Sequence, residues 1–157
     1  MKRFLSLVVV TFALAAPVAA QQSLTINHGP VPTPTFIDLG VPGDSVGDQR
    51  IWQFNGQTTD QQKVVMDWVM TTVGQGNSAS SIERRITMAV FSIGPDEKDT
   101  ILIQGVGLYP KADSTLKGSA VLQRAVIGGT GKYAGAMGTV TSTHLSDNTW
   151  QHAINLK

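Results

Sequence analysis

The chain of 157 residues carries twelve Lys and Arg against eleven Asp and Glu and has no cysteine. Its length suits one domain, the near-neutral balance leaves no electrostatic footprint for nucleic acid, and the missing thiol excludes disulfides, thiolate catalysis and zinc–cysteine sites. Charged residues make up 15%, below the roughly 25% of an ordinary soluble domain, and Gln, Thr, Ser, Asn and sixteen glycines take their place, which suits turn-rich β-structure.

The first twenty residues predict a secretory signal peptide. Lys2 and Arg3 give a basic start, Phe4 to Ala16 an apolar run, and Pro17-Val18-Ala19-Ala20 the small residues of a cleavage site before Gln21. The run falls short of the ~20 residues that span a bilayer. Cleavage after Ala20 leaves ten basic against eleven acidic residues, a net of −1. The expected location is secreted or periplasmic.

From there the chain reads as short alternating runs ended by turn signals. Residues 21–45 hold a first strand, Leu24-Thr25-Ile26, and then a connection with Pro30, Pro32, Pro34 and Pro42, too many prolines for a helix or an inner strand. That connection is expected to wrap the body, residues 46–157, which forms one domain with it. Gln49 to Phe54 is the second strand, and Asn55-Gly56 predicts its hairpin turn. Lys63 to Val73, Arg84 to Ile93, Thr100 to Tyr109, Leu116 to Ile127, Gly138 to Leu145 and Thr149 to Leu156 follow, each stopped by Gly, Pro, Asn or Asp. About eight strands with no sustained helical period predict an all-β antiparallel meander, most stable when its edges close into a barrel.

The alternation also assigns faces. Asp48, Arg50, Trp52 and Phe54 share one side of the second strand; Val64, Met66, Trp68 and Met70 share one side of the third, with Asp67 among Val65 and Val69 on the other. A charge in that apolar setting must be solvated or paired. Trp150, His152, Ile154 and Leu156 share a face of the last strand. If Ser146-Asp147-Asn148 makes the last hairpin, His144 faces Trp150 and His152 faces Ser142. His28, His144 and His152 lie in no metal-ligand spacing, so each is expected to be a lone, satisfied histidine rather than a ligand.

Gly129-Thr130-Gly131-Lys132-Tyr133-Ala134 matches the loose dinucleotide pattern, but Gly135 and Gly138 stand where a helix should begin, and no βαβ unit surrounds it. A phosphate loop fails too, with Val126 in place of the first glycine and Tyr133 in place of Ser or Thr. No G-x-S-x-G elbow is present, and Ser78, Ser80, Ser81 and Ser146 sit at turns. What remains for chemistry is acid–base or electrostatic work by Asp48, Arg50, Asp67, Arg85, Tyr109 and Tyr133, each with a plain surface or structural role as its alternative.

The segment Ala125-Val126-Ile127-Gly128-Gly129-Thr130-Gly131-Lys132-Tyr133-Ala134-Gly135-Ala136-Met137-Gly138 resembles the signature of the dirigent and allene oxide cyclase-like barrel superfamily. Val46-Gly47-Asp48, Asn55-Gly56 and Gln104-Gly105 fall in the same order, so the resemblance spans about Val46 to Leu156. It implies an eight-stranded antiparallel up-and-down barrel, often oligomeric as a dimer or trimer, with an apolar cavity and neither a metal nor an organic cofactor. Members hold reactive hydrophobic intermediates in one shape while they cyclise or couple, chemistry that needs restriction, dryness and one acid or dipole rather than a strong nucleophile. Asp48 matches the family's Gly-Asp element, and Tyr109 lies near an aromatic that lines the cavity in cyclases. The first-strand glutamate and third-strand Gly-x-Cys of plant cyclases have no counterpart here, which argues against allene oxide cyclase activity itself.

The expectation is therefore a barrel that binds a small hydrophobic molecule and directs its cyclisation, addition or isomerisation. Asp48, Asp67, Arg50 and Tyr109 are the candidate catalytic residues, and Trp52, Phe54, Trp68 and Phe91 the candidate ligand contacts. The pocket is expected to be enclosed, at roughly 300–1,000 Å³. A non-catalytic carrier of an apolar ligand and an oligomeric structural protein are the alternatives from other classes.

Overall fold

The structure is a computed structural model and describes residues 22–75, 82–110 and 115–157. Nine strands follow in order: β1 (Ser23–His28), β2 (Thr35–Ile37), β3 (Gln49–Thr58), β4 (Lys63–Gln75), β5 (Ile82–Ile93), β6 (Asp99–Pro110), β7 (Val121–Gly129), β8 (Gly138–His144) and β9 (Trp150–Leu156). A single turn of 3-10 helix, Gly131–Tyr133, lies between β7 and β8. Strands β3 to β9 pair as an antiparallel meander, and β1 pairs with both β9 and β3. Eight strands thus close an up-and-down barrel, and β2 is a ninth laid on β3 with Phe36 opposite Arg50. Closure leaves the barrel strands no bare edge, the stable outcome for a meander of this length.

The expected turn at Asn55-Gly56 does not form. β3 runs straight through it to Thr58 and turns at Thr59 to Gln62, where Gln61 takes a positive φ of 67°. The reason is tertiary. Thr58 and Gln57 are the residues that meet Ile26 and Asn27 of β1, so β3 must continue to close the barrel. Gly56 serves close approach instead: a Cβ there would lie 2.7 Å from both the Asn27 carbonyl oxygen and Met66 Cε.

Inside, the barrel has two different ends. At the end where β3 turns into β4, β5 into β6 and β7 into β8, Val64, Met66, Phe91, Ile93, Ile101 and Leu156 fill the interior. The glycine-rich segment closes this end. Thr130 N–H donates to the Thr100 carbonyl at 3.0 Å, Lys132 N–H to Asp99 at 3.0 Å, and Tyr133 is buried beneath them. A side chain on Gly129 would collide with the Thr100 and Tyr133 carbonyls, and Gly131, with φ of +58°, lies against Asp99. These glycines act as a steric clasp on β6, which is why the loose nucleotide-binding patterns lead nowhere.

At the opposite end the inward positions turn polar and aromatic: Arg50, Thr72, Glu83, Arg85, Tyr109, Arg124, Ser142, His28 and His152 are all buried. The Pro-rich connection lies over this end, where the Trp52 indole N–H donates to the Pro32 carbonyl at 2.8 Å.

Candidate functional site

Period-two pleating aims Trp52 and Phe54 of β3, Trp68 and Met70 of β4, Tyr109 of β6 and Arg124 of β7 at one point near the polar end of the barrel axis. His28 of β1 with Trp150 and His152 of β9 complete the wall, and Val31 and Thr115 stand at the mouth. All three tryptophans of the chain line this one cavity. It is a slit rather than a chamber. About 360 Å³ is free of atoms, open mouth included, but only about 30 Å³ admits the centre of a water-sized sphere. The roomy enclosed pocket expected from the sequence is therefore not present in this conformation, because the indole and imidazole rings fill the bore.

The rings are ordered among themselves. Trp150 stacks on His144 at 4.4 Å, nearly parallel at 6°, and lies parallel to His28 at 6.1 Å and 5°. Trp68 meets Phe91 edge to face at 6.0 Å and tilts against His152 at 5.6 Å. Phe91 is wholly buried as the floor beneath the slit and does not line it.

A polar chain crosses the cavity wall. Arg124 donates through one Nη to the Tyr109 hydroxyl at 2.7 Å and through the other to Ser142 Oγ at 3.2 Å. Ser142 Oγ lies 2.8 Å from His152 Nδ1, His152 Nε2 lies 3.1 Å from His28 Nε2, and His28 Nδ1 lies 2.6 Å from the Gly29 carbonyl. Only one assignment of protons satisfies every link for neutral rings. The carbonyl accepts, so His28 Nδ1 donates; His28 Nε2 then accepts from His152 Nε2–H, and His152 Nδ1 accepts from Ser142. Burial, partly offset by the bond to Gly29 and aided by His144, pushes His28 down to about 4. Burial, with His28 and Arg124 beside it, holds His152 well below the ordinary imidazole range. Both rings are neutral at pH 7, as the bonding requires.

His28 and His152 are thus not the lone residues expected, whereas His144, bonded to the Leu116 carbonyl and Asn148 Oδ1, is satisfied without another histidine. His144 does face Trp150 and His152 does face Ser142 across the last hairpin, but barrel closure brings His28 from the first strand onto His152. Among the described residues, no group of three or more His, Cys, Asp or Glu is placed to hold a metal ion.

The sequence-selected residues separate. Tyr109, Trp52, Phe54 and Trp68 lie on the cavity wall. Asp67 does not: the pleat turns it to the outer face, exposed, where Gln53 Nε2 donates to it at 2.8 Å. Asp48 is buried but serves the loop before β3, accepting from the Leu39 and Ser45 backbone N–H groups at 2.9 and 2.6 Å. Burial works against its charge, and those bonds outweigh it to bring the carboxyl below its usual range. Neither acid lines the slit, so neither is placed for the cavity chemistry expected of it. Arg50 sits at the rim, 3.4 Å from Asp44 and 3.6 Å from Glu83, with its guanidinium over Phe36. Arg85 is bound to Glu83 at 2.8 Å and lies over the Tyr109 ring. Tyr133 belongs to the closed end, and Ser78, Ser80 and Ser81 lie outside the described residues.

Sequence reasoning did not name His28, Met70, Arg124, Trp150 or His152 as wall residues. A period-two signal for Arg124 was present, since Leu122, Arg124 and Val126 share a face. His28 carries the same signal, since Leu24 and Ile26 share its face.

A solved structure, a pyocyanin demethylase, superposes with a TM-score of 0.61 at 18% identity, covering 88% of this chain and all of that one. The likeness shows that the two chains share a barrel fold. A pterocarpan synthase dirigent protein also matches, at a TM-score of 0.49 and 14% identity, over 87% of this chain and 83% of that one. No family model matches the chain, and no curated protein matches it.

Proposed function

We propose that this barrel binds a small, flat, largely apolar molecule in the slit at its polar end and directs the cyclisation, addition or isomerisation of that molecule without a cofactor, as an exported protein cleaved after Ala20. The observation that carries the reading is the convergence of three tryptophans, Phe54, Met70 and the Tyr109–Arg124 pair on one narrow bore. Packed rings would hold a flexible conjugated chain in one shape and exclude water, the two services such a reaction needs. Tyr109 supplies the dipole. Its oxygen accepts from Arg124, which leaves its own proton to donate to a ligand oxygen. Entry requires the rings or the Val31 and Thr115 mouth to shift, since the bore as it stands takes little more than water.

A carrier is the second reading. One observation favours it: among the described residues no carboxylate lines the slit. The two readings part on Tyr109→Phe. Titration of the mature chain with small conjugated compounds, read by its indole fluorescence, is expected to show saturable quenching, because every tryptophan faces the ligand. For a catalyst, Tyr109→Phe keeps affinity within about threefold and lowers conversion by about a hundredfold. No saturable change with any such compound contradicts both readings; binding without conversion leaves the carrier.

A further inference from the structure

Three residues of the slit wall each carry a buried N–H without an acceptor: Arg124 at Nε, and Trp68 and Trp150 at the indole Nε1. Each atom is buried, and the three residues come from β7, β4 and β9. A buried donor without a partner costs about 1–3 kcal/mol, and few occur in a native domain. Here all three belong to residues that line the same bore. The other buried side-chain atoms without partners, Glu83 Oε1 and Thr87 Oγ1, belong to residues that do not line it.

The charges point the same way. Arg50 and Arg85 share Glu83, and Arg50 also reaches Asp44. Arg124, 4% exposed, has no carboxylate within 4.0 Å among the described residues; its two bonded partners are neutral hydroxyls, and its guanidinium lies over the Trp68 ring at 5.2 Å. The nearby imidazoles of His28 and His152 are neutral and bring no negative charge. Gly105 makes room for the arrangement, since a Cβ there would lie 2.8 Å from Arg124 Cγ. A buried guanidinium left without a counter-charge is costly unless something else supplies one.

We infer that the molecule taken by this slit carries an anionic oxygen conjugated to its flat body, a carboxylate or phenolate, and that Arg124 with the indole N–H groups of Trp68 and Trp150 receives that oxygen. An anion satisfies the orphan donors and the unmatched guanidinium at once, while the stacked Trp150 and the ring of Trp68 flank the planar part. A neutral carbonyl would meet the donors but leave the charge. A cation would meet neither. The inference rests on the ligand-binding reading above and narrows it to a chemical class.

The test compares trans-cinnamate with trans-cinnamamide, which has the same planar frame without the charge, by quenching of indole fluorescence at pH 7.5. Cinnamate is expected to bind about tenfold tighter or better, the worth of one charge-assisted bond. Arg124→Gln is expected to abolish that preference by weakening cinnamate more than cinnamamide, and Arg124→Lys to keep part of it. If Arg124→Gln does not fold, Trp150→Phe, which keeps a ring and removes one donor, is expected to weaken cinnamate more than cinnamamide. Equal affinities in the unaltered chain overturn the inference and leave the binding slit standing. Failure of both probes to bind overturns the slit as well.

Discussion

The two ends of this barrel are built from the same strands and have little else in common. The closed end is aliphatic and filled, sealed by a segment whose glycines lie against neighbouring backbone. The polar end holds three buried arginines, two bonded histidines and three donors without acceptors. Stability alone does not explain the second arrangement, since well-packed apolar residues hold a barrel as well or better than buried ions. Polar groups kept buried at such expense at one end of the barrel are what the proposed binding reading accounts for.

That comparison breaks most visibly at Glu83, which serves both Arg50 and Arg85. Glu83→Gln leaves two buried cations without their shared carboxylate and is expected to cost about 3–5 kcal/mol in a denaturant titration. A loss under about 1 kcal/mol would mean that the polar end is wetter than its burial indicates.

Acid should loosen the polar end next. In the unfolded chain His28 takes up a proton below about 6.5, whereas in the fold it resists until about 4. The unfolded state therefore binds more protons in that window, so stability is full above pH 6.5 and falls as the pH drops towards 4. His28 alone accounts for roughly 3 kcal/mol over that span, and His152, shifted the same way, adds to the slope. Urea midpoints between pH 7.5 and 4.5 measure it. His28→Phe is expected to make the dependence shallower, and an unchanged profile in that variant would remove the histidine pair from the account.

The closed end should answer differently. Ile101→Val removes one buried methylene and is expected to cost about 1 kcal/mol, with the same ligand affinity and no change in the pH profile. Smallest of all in stability is Arg124→Met, expected to stay within about 1 kcal/mol of the parent because it removes a cation that lacks a carboxylate partner. A loss of about 3 kcal/mol there would make Arg124 structural cement.

Much of this was legible in the sequence, and the parts that were not share a cause. Alternation grouped Trp52 with Phe54 and Trp68 with Met70 on common strand faces, because period-two pleating is a local property, and those faces turn inward. It also carried the warning about Asp67, whose apolar neighbours proved to lie on the outer wall. Asn55-Gly56 misled because a local turn preference lost to the pairing of β3 with β1, which only barrel closure creates. The same closure brings together His28 and His152, 124 positions apart, and sets Arg124 over Trp68 from the far wall. The width of the bore depends on how indole and imidazole rings pack, which no strand pattern encodes.

The most direct test is a crystal structure of residues 21–157 with trans-cinnamate bound. The expected result is the planar ring between Trp68 and Trp150 at the polar end, with a carboxylate oxygen about 3 Å from Arg124 Nε. Cinnamate on the outer wall, or in the slit with its carboxylate turned away from Arg124, would contradict the account.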